Sequence, residues 1–271
     1  NSTIVIAGII VSNIFAYLFH IYVARALGPS EYGVFGALMA LFVLIALPAG
    51  AIGSAITKFT ARYNSNKEYD KIRMLRKGIS KKLWLIGAFL FLVIVMLSNN
   101  IADYLKIDSN VPVIIVGFTL VFALVLPINR GILQGMKKFK VYSVNTVIEA
   151  VIRIILAVAF ILIGTGVDGV ILAYGLAYFI AFLAIFPFIK EINGKKQNQE
   201  KTNNLSEVYK FIILVLFVNL LFQSIINLPA IFIKHFATSE LTGYWTAALT
   251  LARVSLFVTG GIGVVMFPEV S

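Results

Sequence analysis

The chain has 271 residues, 60% of them hydrophobic and only 13% charged, with a formal net charge of +11. A mean hydropathy of +0.94, with a charged content far below the roughly one quarter of soluble domains, excludes a soluble globular protein. Zero Cys excludes a disulfide framework and a thiolate metal site.

The first predicted element is a helix–turn–helix over Ile4–Arg62. A nearly uncharged span, Ile4–Ala26, runs into the polar turn LGPSEYG (Leu27–Gly33), and a second apolar span leads to a basic loop. Each span is long enough to cross ~30 Å of hydrocarbon at ~1.5 Å per residue. Backbone groups in lipid must be satisfied within their own segment, so these spans are helices. Ile4–Ala26 is too long for a signal-peptide core and lacks a basic flank, so it reads as a retained span with a few residues preceding Asn1. Eight spans follow from hydropathy: Ile4–Ala26, Tyr32–Phe59, Leu83–Leu97, Val111–Leu133, Val144–Gly164, Val167–Ile189, Phe211–Ile233 and Gly243–Phe267. The third is the shortest. Between it and the fourth, Asn99–Asn110 has room for one amphipathic turn.

Charge sets the orientation. The loops after the second, fourth and sixth spans, with their flanks, carry eighteen Lys and Arg, among them Lys58, Arg62, Lys71, Arg76, Lys82, Arg130 and Lys140. The loops on the other side carry Arg25, Lys106 and Lys234. The positive-inside rule therefore predicts a cytoplasmic N-terminus in a multi-pass protein of the plasma or inner membrane. The basic excess is a topology signal with some attraction to anionic headgroups, and no folded basic domain exists to bind nucleic acid.

The chain also repeats itself. Shifted by about 210 residues, the eighth span overlays the second: Gly33, Ala37, Leu41, Gly50, Ile52 and Gly53 meet Gly243, Ala247, Leu251, Gly260, Ile262 and Gly263. The copies lie six spans apart, so both cross in the same direction, predicting parallel-repeat lobes around an axis along the membrane normal. The expected organisation is an all-α, polytopic membrane helix bundle. It has a six-helix N-terminal lobe (1–190), a polar cytoplasmic linker (191–206) and the first two helices of a C-terminal lobe (207–271). A central cavity lies between the lobes. Two helices against six predicts at least four more beyond Ser271.

Charges that survive deep in spans are informative, since each costs several kcal/mol there. Arg153 and Arg253 both lie about ten residues into their spans, near the midplane. Glu149 stands one turn before Arg153, so the two read either as a structural ion pair or as part of a cavity wall. Arg253 has no acid in its own helix and reads as a cavity-facing cation, whose planar fork suits phosphate. Asn219, Gln223 and Asn227 form a polar stripe at i,i+4 spacing, as do Asn13, Tyr17 and His20; either stripe suits interhelical hydrogen bonds or sugar hydroxyls. His20 and His235 fall near the outer interface without further ligand-type neighbours, so no metal site is expected. Pro48, Gly50 and Gly53 in LPAGAIG read as a hinge or as a close-packing segment. The Gly131–Gly135 pair sits at a helix end and carries no weight. Nucleotide-binding, GxSxG and HExxH motifs are absent, so no cofactor or ATP hydrolysis is implied.

At ARALGPSEYG (Ala24–Gly33), in the basic stretch after the second span and at MFPEVS (Met266–Ser271), the chain resembles the polysaccharide-biosynthesis flippases, the O-antigen or lipid-linked oligosaccharide translocases. These belong to the multidrug/oligosaccharidyl-lipid/polysaccharide exporter superfamily. The resemblance covers the whole chain as that family's first eight helices. It implies two lobes around a V-shaped cavity and transport of polyprenyl-pyrophosphate glycans to the outer leaflet, with polymerases or glycosyltransferases as further partners. It also implies that cavity arginines hold the pyrophosphate or acidic sugars. By position these are Arg153 and Arg253, with Arg25 near the outer rim and Arg62 and Arg130 near the inner mouth. A cation-coupled multidrug exporter of the same superfamily would need buried carboxylates, of which Glu149 alone lies deep in a span. A polyprenyl-dependent membrane transferase would need convergent acids or His in an aqueous loop.

Overall fold

The computed structural model describes the backbone of residues 2–193 and 205–266 and the side chains of 7–188 and 206–253. Most of the linker expected over 191–206, and residues 267–271, lie outside the described residues. The described backbone is helical throughout: α1 (Ser2–Ser65), α2 (Tyr69–Met96), α3 (Ser98–Tyr104), α4 (Val111–Gly135), α5 (Phe139–Ile163), α6 (Gly166–Asn193), α7 (Leu205–Phe236) and α8 (Ser239–Met266). Among the described residues, six helices are long and apolar enough to cross a membrane, α1 counting once.

The first two expected spans are two arms of α1. The seven-residue turn expected at Leu27–Gly33 shrinks to one non-helical residue, Gly28, at φ 74° and ψ 174°. That backbone region is essentially open only to glycine. Pro29 follows with its φ already set for a helix start and its missing N–H no loss there. Glu31 places a carboxylate in the new first turn, against the positive end of the helix dipole. The arms fold back on one another at this point. Phe19 and Phe35 rings lie 5.9 Å apart and His20 Nδ1 is 3.1 Å from the Tyr32 hydroxyl. A straight helix would separate residues twelve apart by about 18 Å.

The third span also differs from expectation: α2 begins fourteen residues before Leu83. Ile72, Leu75, Ile79 and Leu83 recur at helical spacing and bury against Ala55, Ile56 and Phe59 of α1, so the basic segment before the apolar span is helical too. The amphipathic turn expected within Asn99–Asn110 is α3, which starts one residue earlier, at Ser98.

Glycines set the tight contacts. Gly131 and Gly135 of α4, given no weight in the sequence, both touch the second arm of α1. A Cβ at 131 would stand 2.8 Å from the Gly53 carbonyl oxygen, and one at 135 would stand 2.5 Å from Thr60 Cβ. Spacing alone could not show this, because the partner is a helix some eighty residues away. Gly50, one turn from Gly53, instead faces open space. Gly131→Ala should therefore cost about 1–3 kcal/mol through overpacking. Gly50→Ala should gain about 0.5–1 kcal/mol from helix propensity. Thermal midpoints of the purified variants in one detergent check both signs.

The α1–α8 contact is reciprocal. Gly33 packs on the Ser239 carbonyl and Gly243 on the Pro29 carbonyl, and in each pair of equivalents, 33/243 and 29/239, the positions differ by 210. Gly36 packs on Thr246, again 210 positions apart. Residue i meeting j while the equivalent of i meets the equivalent of j is the signature of a two-fold relation, and residues that meet their own equivalents straddle its axis.

Helix α7 is held to the first 188 residues at both ends. At its start, Lys82 Nζ donates to the Tyr209 hydroxyl (2.7 Å), and Phe211 lies under Lys58 Nζ (4.1 Å). At its end, Lys234 is buried and donates to the Leu105 and Lys106 carbonyls at 2.5 and 2.9 Å, while His235 stacks on Tyr104 at 4.0 Å.

Candidate functional site

A gap runs between α1 and α8 below the Gly33–Gly243 contact. Its narrow part, about 150 Å³, is lined by Gly36, Met39, Ala40 and Val43 of α1 and by Thr246, Leu249, Thr250 and Arg253 of α8. These are four pairs of equivalents at the same 210-residue offset, so the gap lies on the two-fold axis. Arg253 stands where the first copy has Val43. The wider part, about 510 Å³, lies between the first arm of α1 and α8, lined by Asn13, Tyr17 and His20 with Thr250 and Arg253. Ile10, Ile14 and Leu18 at its edge are exposed, so it opens on the face a bilayer would cover.

Hydrogen bonds orient the polar lining. Thr250 Oγ1 donates to the Thr246 carbonyl (2.8 Å), so at 3.4 Å it accepts from the Tyr32 hydroxyl. The Tyr32 oxygen in turn accepts from His20 Nδ1–H at 3.1 Å, which leaves His20 Nε2 outside this chain. On α7, Asn227 Nδ2 donates to the Gln223 carbonyl (2.9 Å) and Oε1 (3.0 Å). That fixes Asn227 Oδ1 as the acceptor for Arg253 Nη2, at a long 3.4 Å. Among the described residues, neither part of the gap is lined by an Asp or Glu, and Arg253 forms no ion pair. The site is cationic.

Arg153 stands behind the gap's wall rather than in its lining, although its depth along its own helix matches that of Arg253. It is buried against the rings of Phe19 (5.4 Å) and Tyr174 (4.5 Å), the second of which lines the gap, with Nη1 3.6 Å from Glu149 Oε1. Cation–π contact replaces solvent there. The other Glu149 oxygen takes Arg130 Nη1 at 2.8 Å. Arg130 Nε donates to Asn145 Oδ1 (2.8 Å), and Asn145 Nδ2 to the Ala181 carbonyl (2.7 Å). One carboxylate thus serves two arginines and knits α4, α5 and α6. Of the two sequence readings for Glu149–Arg153, the geometry is that of the structural pair. Arg130, expected near the inner mouth, is held in this packed cluster.

The remaining expected residues separate. Asn13, Tyr17, Asn227 and Arg253 meet at the gap, with Gln223 behind Asn227. Asn219 is partly exposed on α7 and is not part of the gap's lining. Arg25 is exposed and lines a different groove, against α5. Arg62 is exposed and pairs with Glu207 at 3.2 Å. Sequence reasoning set His20 at the outer interface and missed Tyr32, Thr246 and Thr250. Depth was counted along one helix, whereas the fold-back at Gly28 lays Tyr32 beside His20. The 210-residue repeat, had it been used to pair facing residues, points to Thr246 and Thr250.

A family described as "Polysaccharide biosynthesis protein" matches residues 1–271. The chain belongs to that family. Among curated relatives, the Bacillus subtilis lipid II flippase MurJ is 30% identical over 146 residues, which are 49% of this chain and 27% of the flippase. An uncharacterised membrane protein of Methanocaldococcus jannaschii is 28% identical over 201 residues, 69% of this chain and 45% of that one. The chain therefore spans less than half the length of either. The inward-facing conformation of a multidrug-resistance MATE-family transporter of the MOP superfamily shares the fold. Its TM-score is 0.74 at 15% identity, over 91% of this chain and 59% of that one. As a member of the polysaccharide biosynthesis family, this chain is a multi-pass membrane protein with a helix-bundle fold.

Proposed function

We propose that the chain forms the substrate-bearing part of a flippase. It moves a polyprenyl-(pyro)phosphate-linked oligosaccharide from the cytoplasmic to the outer leaflet by alternating access, for cell-surface polysaccharide synthesis. Two lobes, residues 1–190 and 207–271, rock about the axis on which the gap lies, with 191–206 between them on the cytoplasmic side together with the N-terminus. The observation that carries this reading is Arg253: a guanidinium in a gap between membrane-length helices, free of any ion pair among the described residues and held at long range by one amide. In low dielectric such a charge calls for an anion, and phosphate accepts its two parallel donors. Asn13, Tyr17 and Thr250 supply hydroxyls and amides for sugar, and the exposed Ile10–Ile14–Leu18 edge leaves the polyprenyl tail in lipid. A cation-coupled drug exporter would carry its carboxylate in the lining of this gap; here Glu149 is outside that lining and is taken by two arginines.

Complementation separates the two readings. The intact protein should restore surface glycan in flippase-null cells and leave the drug sensitivity of exporter-null cells unchanged. Drug resistance without glycan rescue would overturn the proposal.

A further inference from the structure

Arg25 was expected at the rim of the central gap, yet it faces away from it. The first arm of α1 and α5 run side by side in one direction, with Gly8 against Ser143 and Phe19 against Arg153. Toward the Gly28 end they frame a groove of about 560 Å³ whose lining is Leu18, Ile21, Tyr22, Ile154 and Val158 with Arg25 and Ala26. Leu18 lines both this groove and the wide part of the gap, so it forms the ridge between two separate sites. Arg25 lies three residues before the Gly28 break, where α1 turns back on itself. It is exposed, and among the described residues it has neither an ion pair nor a hydrogen bond. An apolar slot between two membrane-length helices, ended near the turn of α1 by an unpaired fork of five donors, matches a ligand with a phosphate head and a hydrocarbon chain.

We infer that this groove binds one glycerophospholipid, with its phosphate on Arg25 and one acyl chain along Leu18, Ile21, Ile154 and Val158. The site does not depend on the transport reading, since it lies outside the gap. The bound lipid fills the space between the first arm and α5, the arm that also walls the gap.

The test uses the intact protein in phosphatidylcholine nanodiscs doped with a photoactivatable phosphatidylglycerol carrying its reactive group on one acyl chain. Labelled peptides are mapped by mass spectrometry, without any glycolipid present. Labelling should concentrate at residues 18–25 and 154–158. Arg25→Ala should lower it about fivefold, the factor for one cationic side chain at an anionic surface, and Arg25→Lys should largely keep it. Val158→Trp, which fills the slot and leaves Arg25 in place, should also remove it. Unchanged labelling in Arg25→Ala would overturn the site. So would unchanged labelling in Val158→Trp, the result expected if Arg25 meets only bulk headgroups.

Discussion

Arg253→Ala should lower the affinity for a polyprenyl-pyrophosphate glycan by about 10–100-fold, because a charged hydrogen bond to phosphate is worth about 1.5–3 kcal/mol. The reasoning starts from the gap's lining. Four pairs of equivalent positions face each other across the axis, and among the described residues only the α8 member at 253 is charged. The side chain is partly exposed, and its hydrogen bond to protein among the described residues is a long one of 3.4 Å, so truncating it removes a weak polar contact. Stability should change by about 1 kcal/mol, because the bond lost is long and the Asn227 Oδ1 it leaves unpaired borders the gap, where water can reach it. Arg253→Lys keeps the charge and loses the fork, so it should fall between the two. Titration of purified wild type and variants with the glycolipid, beside their thermal midpoints, checks the split. A variant that binds normally, or one that fails only by unfolding, would contradict the assignment.

Glu149→Ala should do the opposite, costing about 3–5 kcal/mol of stability by leaving buried cations without their counter-ion. Glu149 side-chain exposure is 10%, with 17% for Arg130 and 10% for Arg153, so solvent screens this cluster weakly. Arg153 Nε is already buried with no hydrogen-bond partner, which leaves little slack for a second loss. The coupling gives a sharper check than the single change. Arg130→Met in the Glu149→Ala background should cost far less than Arg130→Met alone, because the charge it removes is then unpaired. Equal costs in both backgrounds, read from unfolding midpoints, would show that the three residues do not act together. By contrast Arg62→Ala, which breaks an ion pair about 60% exposed on both sides, should change stability by under about 1 kcal/mol.

The membrane architecture was legible because lipid allows few backbone solutions. Uninterrupted apolar spans therefore gave helix boundaries to within a few residues for most elements. The repeat was legible too: the 210-residue offset seen between Gly33 and Gly243 reappears as reciprocal backbone contacts. What a one-dimensional reading could not show is which helix stands across from which. Arg153 and Arg253 are alike in depth and differ only in neighbours. One meets Phe19, Tyr174 and a carboxylate shared with Arg130 of α4; the other meets open space and Asn227. The same blindness hid the Gly131–Gly135 contact. The Leu27–Gly33 turn was recognised from its Gly-Pro pair, but its contraction to one residue depends on the φ 74°, ψ 174° backbone that Gly28 can adopt because it has no Cβ.

The most direct measurement places a photo-crosslinking amino acid at Met39, at its equivalent Leu249, or at Ile155, which is 58% exposed on the outside of α5. Each variant is then exposed to a radiolabelled polyprenyl-pyrophosphate oligosaccharide. A phosphorylated glycolipid held on the axis should be captured from both 39 and 249 and competed by pyrophosphate-linked glycan, with Ile155 capturing only bulk lipid. Capture from 155 alone, with neither wall of the gap labelled, would contradict a cationic substrate path between two related membrane halves.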